Sequence, residues 1–536
     1  KSLMHKNGIP VVPGFNVDPD DDSKLQEKAS ALGYPVLIKA ASGGGGKGMK
    51  RVDSESELIE AIESARRESI KSFASDQLLI EKYLKNPRHI EVQIFSDNHN
   101  NTVHLFDRDC SIQRRHQKII EEAPAIDIKQ TVREHMYLTA INAAKSIDYS
   151  GAGTIEFLLE GDDFYFMEMN TRLQVEHPVT ELITGTDLVE WQLLIAANHT
   201  LPLKQEQIKC LGHAIEVRIY AEDPEQNFLP QTGMLSHCDW PSSSTYLRID
   251  TGVKQGDEIS VHYDPMIAKM ITYGENRQIA RQLLCDSIQQ TRLMGLQTNL
   301  SFLGNVLQQN AFTNGKLTTH YLDLNPIEYI SPIEKSAFYA AIYIQLTNTS
   351  IKSCSPWEKL DSWQANLSPI TPYEFKYKDQ VIIQKITQDL PNVFSDQSKV
   401  LPTCHAYLSA HDTLVIENNN KREVINVLIE KAFTHVISKT AQYSFETHKK
   451  DYQNAEQQQG SLSAPMPGMI ISINCQPNQS VQKDQVLMVI EAMKMEHPIK
   501  APFAGIVNKI LFAQGAQVSE SDQLLDLAPL KESASS

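Results

Sequence analysis

The sequence predicts a multidomain α/β protein: a long α/β region, then a β-barrel around one helix, then a small flattened β-barrel near the C-terminal end. Three observations carry this prediction. Residues 1 to about 325 alternate helical and strand patterns. From about 327 the character changes, to the all-round apolar segment Ala337–Ile344 followed by short β-branched runs. Finally, Ala464-Pro465-Met466-Pro467-Gly468-Met469-Ile470-Ile471 recurs thirty-seven residues later as Ala501-Pro502-Phe503-Ala504-Gly505-Ile506-Val507-Asn508. Two copies of a strand-turn-strand unit argue for a barrel with approximate two-fold symmetry.

At 536 residues the chain has room for three or four domains, each with its own core. A formal charge of -16, with no basic block, argues against a nucleic-acid partner. Seven cysteines without a Cys-x-x-Cys pair suggest a reducing compartment and neither a disulfide framework nor a zinc site. No apolar run approaches membrane-spanning length. The first residues, Lys1-Ser2-Leu3-Met4, look helical and lack an initiator methionine, so the true start is expected to lie upstream and no targeting signal can be read here.

In chain order, Tyr34–Lys39 reads as a buried strand ending in a lysine, followed by Ser42-Gly43-Gly44-Gly45-Gly46-Lys47-Gly48. Glycines let backbone amides close around a phosphate, and Lys39 would add a point charge. Many glycine runs are merely loops, and this one is no P-loop, because Gly-Lys-Ser/Thr is missing.

Thr154 to Asn170 reads as two strands around a turn centred near Asp162. That register sets Glu156 opposite Glu168 and Thr154 opposite Asn170, and gives Ile155, Phe157, Leu159, Tyr165, Met167 and Met169 to the apolar face. Facing carboxylates repel unless one is protonated or a cation bridges them, and magnesium or manganese beside a nucleotide would do so. The competing reading is a solvated polar face. Arg172, Gln174 and Glu176 continue the alternation.

In the middle region, strands are expected at Gln380–Gln384, Thr413–Ile416 and Val424–Ile429, the last two separated by a turn at 418–421. The polar stretch 451–463 lacks the apolar content to fold and reads as a linker. In the final module, Lys494 lies within Glu491-Ala492-Met493-Lys494-Met495-Glu496-His497, between two strands, where a hairpin tip would put its amine in solvent. Flanking methionines are unusual, because exposed turns favour polar residues. An ordinary surface lysine is the competing reading; the duplication and the motif favour a modification target.

This module resembles the biotin carboxyl carrier domain of biotin-dependent carboxylases, in which the corresponding lysine is biotinylated. Lipoyl domains share the duplicated barrel but typically carry Asp-Lys-Ala at the tip, which is absent here. The first region resembles the ATP-grasp biotin carboxylase domain through Tyr34–Lys50, Glu81–His89, Asp109–Lys118, Gly151–Glu181 and Gly212–Tyr273. The resemblance implies that Lys39, Gly43, Gly44, Gly45, Gly46 and Gly48 contact ATP phosphates. Glu81, Lys82, Tyr83, Leu84, His89, Gln113 and His116 would line the nucleotide pocket, and Glu156, Glu168 and Asn170 would hold Mg2+ or Mn2+. It places Lys118, Arg172, Gln174, Val175 and Glu176 around bicarbonate, and Arg248 against biotin. The family has a complete N-terminal subdomain, with an ATP-contacting lysine, ahead of the segment that begins here, so this region is expected to be truncated.

By the same resemblance, residues 1–85 are the end of the N-terminal subdomain and the ATP-grasp lid, and 86–326 the ATP-grasp core and C-terminal subdomain. Residues 327–450 would dock a carboxyltransferase, 451–463 form a flexible linker and 464–530 the biotin carrier. The implied activity is ATP-dependent carboxylation of carrier-bound biotin by bicarbonate, for transfer to an acyl-CoA on a separate carboxyltransferase beta subunit. Biotin protein ligase would modify Lys494. The modest middle domain, Ser355-Pro356-Trp357 and Trp363 look most like the α subunits of the 3-methylcrotonyl-CoA carboxylase family. Propionyl-, acetyl- and geranyl-CoA carboxylase α subunits are the alternatives, with a non-catalytic biotin carrier and docking subunit as another. The expected location is the cytoplasm for a bacterial protein, the preferred case, or the mitochondrial matrix for a eukaryotic one.

Overall fold

The computed structural model describes residues 2–17, 22–41, 49–73, 75–114, 117–327, 335–349, 370–377, 380–390, 393–396, 404–410, 413–418, 421–430, 433–437, 442–447, 461–492, 495–519 and 522–529. The glycine run, His116, Ser355–Trp357, Trp363 and Lys494 lie outside the described residues.

Four strands, β1 (Gly14–Asn16), β2 (Val36–Ala40), β3 (Lys50–Val52) and β4 (Leu78–Lys82), form a sheet in the order β1-β4-β2-β3. Val36 and Ile38 on β2 are fully buried and pack with Leu25, Leu58, Ile62 and Ile80 beneath the helices Asp22–Leu32 and Leu58–Phe73. Strand alternation therefore leaves Leu37 and Lys39 on the opposite face of β2.

The larger sheet has eight strands, all antiparallel. Its members are β5 (Arg88–Ser96), β6 (Thr102–Arg114), β7 (Gln117–Ala123), β8 (Gly151–Glu160), β9 (Asp163–Asn170) and β10 (His213–Tyr220), with Leu247–Thr251 and Met266–Gly274. From one edge the order is Leu247–Thr251, Met266–Gly274, β10, β7, β6, β5, β8, β9. One face is apolar: Ile90, Val92, Ile94, Ile155 and Phe157 pack with the helix Gln130–Lys145, while Ile215, Val217 and Met270 pack with the helices Arg277–Gln290 and Leu300–Gln308. The other face is buried too, but polar. Glu91, Gln93, Arg108, Glu121, Thr154, Glu156 and Glu216 are each at most 2% exposed.

The β8–β9 hairpin sets Thr154 opposite Asn170 and Glu156 opposite Glu168, as the sequence predicts. Nearer the turn the register slips. A bulge after Glu156 pairs Phe157 with Phe166, Leu159 with Phe164 and Glu160 with Asp163, leaving a two-residue turn at Gly161-Asp162. Gly161 supplies the left-handed residue there, at φ 64°. The correction is that Phe164 and Phe166, not Tyr165 and Met167, join Ile155, Phe157 and Leu159 in the core. One extra residue on the bulged strand reverses which side chains face inward.

In the middle region the helix Lys335–Thr349 packs its Ala337 and Tyr339–Ile344 against the inward residues of a closed eight-stranded barrel, among them Phe375, Leu414, Ile416, Ile425, Val427, Val436 and Phe445. The three strands expected here lie inside the observed Gln380–Leu390, Thr413–Asn418 and Lys421–Glu430.

The C-terminal module consists of two four-stranded sheets, Ser461–Ser463, Gln523–Pro529, Gly505–Ile510, Ser480–Val481 and Met495–Lys500, Val486–Ala492, Gly468–Ile473, Gln517–Val518, each in that order. A shift of thirty-seven residues carries the inner strands of one sheet onto those of the other, and even the bulge repeats, between Ile470 and Ser472 and between Val507 and Lys509. The linker ends earlier than expected, because Ser461–Ser463 already pairs with the last strand. Ala492 pairs with Met495, so Met493 and Lys494 connect two paired strands.

Candidate active site on the polar face of the large sheet

Glu156 is the hub. Its Oε1 accepts from Lys118 Nζ at 2.9 Å, Asn170 Nδ2 at 2.8 Å and Gln174 Nε2 at 2.8 Å, and its Oε2 lies 3.1 Å from His89 Nε2. Burial alone would raise this carboxyl, but His89 and Lys118 hold it well below the usual carboxylate range. Across the strand, Glu168 is exposed, and partial desolvation together with the charge of Glu156 pushes its carboxyl up. Two facing carboxylates, one ionised and one destabilised by it, fit a divalent cation, which would relieve that repulsion.

Lys118 joins three strands and a loop. Besides Glu156, its ammonium donates to Glu91 on β5 at 2.5 Å and to Glu176 at 2.6 Å. Glu176, 1% exposed, also accepts from Arg218 Nη2 at 3.0 Å. Burial and Glu91 would raise the Glu176 carboxyl, yet Lys118, Arg218 and Arg108 keep it below its ordinary range, and so ionised at neutral pH. Arg218 in turn donates from Nε to Glu121 at 2.6 Å; burial pushes that carboxyl up to about 7 despite the arginine. Arg108, wholly buried, donates to Glu91, Gln93, Thr180, Thr154 and Gln174. Because Gln174 Oε1 accepts from Arg108, its amide nitrogen must face Glu156.

The structure thus gathers Lys118, Glu156, Asn170, Gln174, Glu176 and His89. Two expected members make other hydrogen bonds. Strand β9 ends at Asn170, so the alternation does not continue to Arg172, which is exposed and donates to the neighbouring Leu173 carbonyl. Arg248 donates to Asp250 at 2.8 and 2.9 Å and to Glu181 at 2.8 Å, and the arginine that meets Glu176 is Arg218. Glu91, Arg108, Glu121 and Arg218 escaped the sequence reading. For Arg218 the signal was present in His213-Ala214-Ile215-Glu216-Val217-Arg218-Ile219-Tyr220, a strand whose charged residues alternate with apolar ones.

Around the smaller sheet, Lys39 forms an ion pair with the buried Glu81 at 2.7 Å. Lys82 is exposed and Leu84 buried. Tyr83 Oη lies 3.0 Å from His320 Nε2, and the Arg51 guanidinium sits over its ring at 4.7 Å. Gln113 pairs with Lys118 across β6 and β7.

Comparison with known proteins agrees with this architecture. Residues 1–204 match the family described as "Carbamoyl-phosphate synthase L chain, ATP binding domain", 216–324 the biotin carboxylase C-terminal domain, and 460–527 the family described as "Biotin-requiring enzyme". The chain is 42% identical to the mitochondrial methylcrotonoyl-CoA carboxylase subunit alpha of Rattus norvegicus, over 98% of this chain and 76% of the relative. It is 41% identical to that of Dictyostelium discoideum, over 95% and 76%. Among solved structures, the biotin carboxylase domain of Hydrogenobacter thermophilus 2-oxoglutarate carboxylase, in complex with MgADP and bicarbonate, superposes with a TM-score of 0.58 at 41% identity, covering 61% of this chain and 72% of that one. Fold and matches together define an ATP-grasp biotin carboxylase carrying its own biotinyl domain. The chain belongs to the acyl-CoA carboxylase alpha-subunit family, and methylcrotonoyl-CoA carboxylase alpha subunits are among its relatives. Its activity is the ATP-dependent carboxylation of biotin.

Proposed function

We propose that the Lys118–Glu156–Glu176 cluster is where bicarbonate is activated, that Lys494 carries the biotin, and that the acyl acceptor is 3-methylcrotonyl-CoA on a separate carboxyltransferase beta subunit. The observation that carries this reading is Glu176, buried and ionised between Lys118 at 2.6 Å and Arg218 at 3.0 Å, in the same cluster as Glu156. Glu176 would take the bicarbonate proton, so that the freed oxygen can attack the γ-phosphorus of ATP. Lys118 would hold the bicarbonate charge, and Lys39 would steady the phosphates. Glu156, Glu168 and Asn170 would hold magnesium or manganese, which when bound neutralises charge on the transferring phosphoryl group. That attack would give carboxyphosphate and ADP; attached biotin would supply the nitrogen that accepts the carboxyl group, with phosphate as the leaving group and acceptor of the ureido proton. Arg218, beside Glu176, would be the cation for the ureido oxygen in preference to Arg248, which is bonded to Asp250 and Glu181.

The acyl-CoA assignment follows the identity to methylcrotonoyl-CoA carboxylase alpha subunits, with the propionyl-, acetyl- and geranyl-CoA enzymes as alternatives. Those two relatives are mitochondrial, so they favour the matrix over the cytoplasm; among the described residues no helix is long and apolar enough to cross a membrane. Biotin protein ligase is the proposed modifier of Lys494.

The test is Glu176→Gln in the full-length biotinylated subunit. It keeps shape and removes basicity, so biotin carboxylation should fall by roughly two orders of magnitude or more. ATP affinity should stay within about a few-fold, because no phosphate contact is assigned to Glu176. A normal rate would refute the general-base role; loss of ATP binding would move the residue to the nucleotide site or to folding.

A further inference from the structure

Val175 lies between Gln174 and Glu176, in a segment that has left the sheet: the β8–β9 ladder ends at Asn170. Its path is therefore not set by strand pairing. The carbonyl of Val175 accepts from the ammonium of Lys269, on the strand Met266–Gly274. Lys269 is 8% exposed and stands opposite Arg218 on β10 and opposite Asp250 on Leu247–Thr251, so the three side chains form a row across three strands. Two neighbouring cations in a buried row require compensation. Asp250 lies 3.4 Å from Lys269, and Glu216, fully buried, lies 3.9 Å away. Asp250 is gripped in turn by Arg248, whose remaining donor reaches Glu181.

We infer that Arg248, Asp250 and Lys269 form a positioning relay that fixes the Val175 carbonyl and thereby the shape of the bicarbonate pocket. This rests on the assignment of Gln174, Val175 and Glu176 to bicarbonate. The ammonium donates to the backbone of the loop, while the charges of Asp250 at 3.4 Å and Glu216 at 3.9 Å hold it to the sheet. Arg248 thus contributes two steps away from the substrate, as a positioning residue and not as a biotin contact.

Steady-state kinetics of the holoenzyme test the relay. Lys269→Met, which keeps the apolar stem, should raise the KM for bicarbonate by roughly tenfold or more, because small misplacements of a positioned group cost that much. The KM values for ATP and free biotin should stay within about twofold. Arg248→Ala and Asp250→Asn should raise the bicarbonate KM less, and should add nothing to Lys269→Met, as expected of coupled neighbours. Lys269→Arg should recover part of the loss. The relay is overturned by an unchanged bicarbonate KM in Lys269→Met, by equal rises in the ATP and bicarbonate KM, or by an Arg248→Ala defect confined to biotin. If Lys269→Met does not fold, the bicarbonate KM of Asp250→Asn decides the question. A normal bicarbonate KM alongside an inactive Glu176→Gln would remove the relay and leave the proposed function standing; a fully active Glu176→Gln would remove that function itself.

Discussion

On the large sheet, Glu91 and Gln93 alternate with Ile90, Val92 and Ile94, and all five are fully buried. On the carrier barrel the same alternation separates inside from outside, with Ile470 and Val507 fully buried while Met469 and Ile506 are 41% and 37% exposed. The sheet spends its second face on a buried network, in which each charge is tolerable only because its neighbours hold it. The barrel leaves its outer face to solvent, and the proposed biotin carrier, Lys494, falls between the paired Ala492 and Met495 in sequence. Chemistry that must exclude water is assembled from many strands; in the proposed function, a group that must travel is carried on a small core of its own.

This contrast can be broken at either end. The largest effect belongs to the carrier: Lys494→Ala should abolish biotinylation by biotin protein ligase, read by intact mass and avidin blot. Label appearing on another lysine would show that Lys494 is not the address. In the network, removing one member should weaken a function without erasing it. Glu168→Gln should weaken metal-dependent ATP binding by at least the roughly tenfold common even for outer partners of a metal site. Unchanged metal affinity in both Glu168→Gln and Glu156→Gln would return the hairpin to a structural role.

The smallest expected effect lies outside that network, on the face covered by the helix Arg277–Gln290. Glu122 accepts from His213 at 2.8 Å and Arg277 at 2.6 Å; burial opposes its charge, but these partners bring its carboxyl down to about 2. A depressed carboxyl contributes stability that is full above its ordinary value of 4.5 and is lost as pH falls towards about 2. The thermal midpoint should therefore fall less steeply below pH 4.5 in Glu122→Gln than in wild type. Parallel slopes would contradict the assignment.

The same contrast explains what could be read in advance. The duplicated strands are local and repeated, so the sequence alone shows them. The pairing of Glu156 with Glu168 followed from hairpin symmetry towards the open end of the hairpin. Nearer the turn a single bulge moved Phe164 and Phe166 inward, and no periodicity announces a bulge. Arg218 lies forty-two residues after Glu176, and their meeting depends on the order of β10 and β7 in the sheet. Arg248 was assigned to biotin through resemblance; in the structure its hydrogen-bond partners are Asp250 and Glu181, which no local pattern announces. The strand Ser461–Ser463 was hidden in a polar stretch because its backbone, not its side chains, completes the sheet.

The central claim is that carboxylation runs on a cluster joined across strands, with Arg218 as its arginine. Its most direct test is the rate of free-biotin carboxylation in Arg218→Ala beside Arg248→Ala, with ATP affinity measured for both. Arg218→Ala should lose roughly two orders of magnitude at saturating bicarbonate, the scale of removing a positioned charge, while Arg248→Ala recovers most of the wild-type rate there and ATP binding is kept in both. A near-normal rate in Arg218→Ala, with the large loss in Arg248→Ala instead, would contradict it.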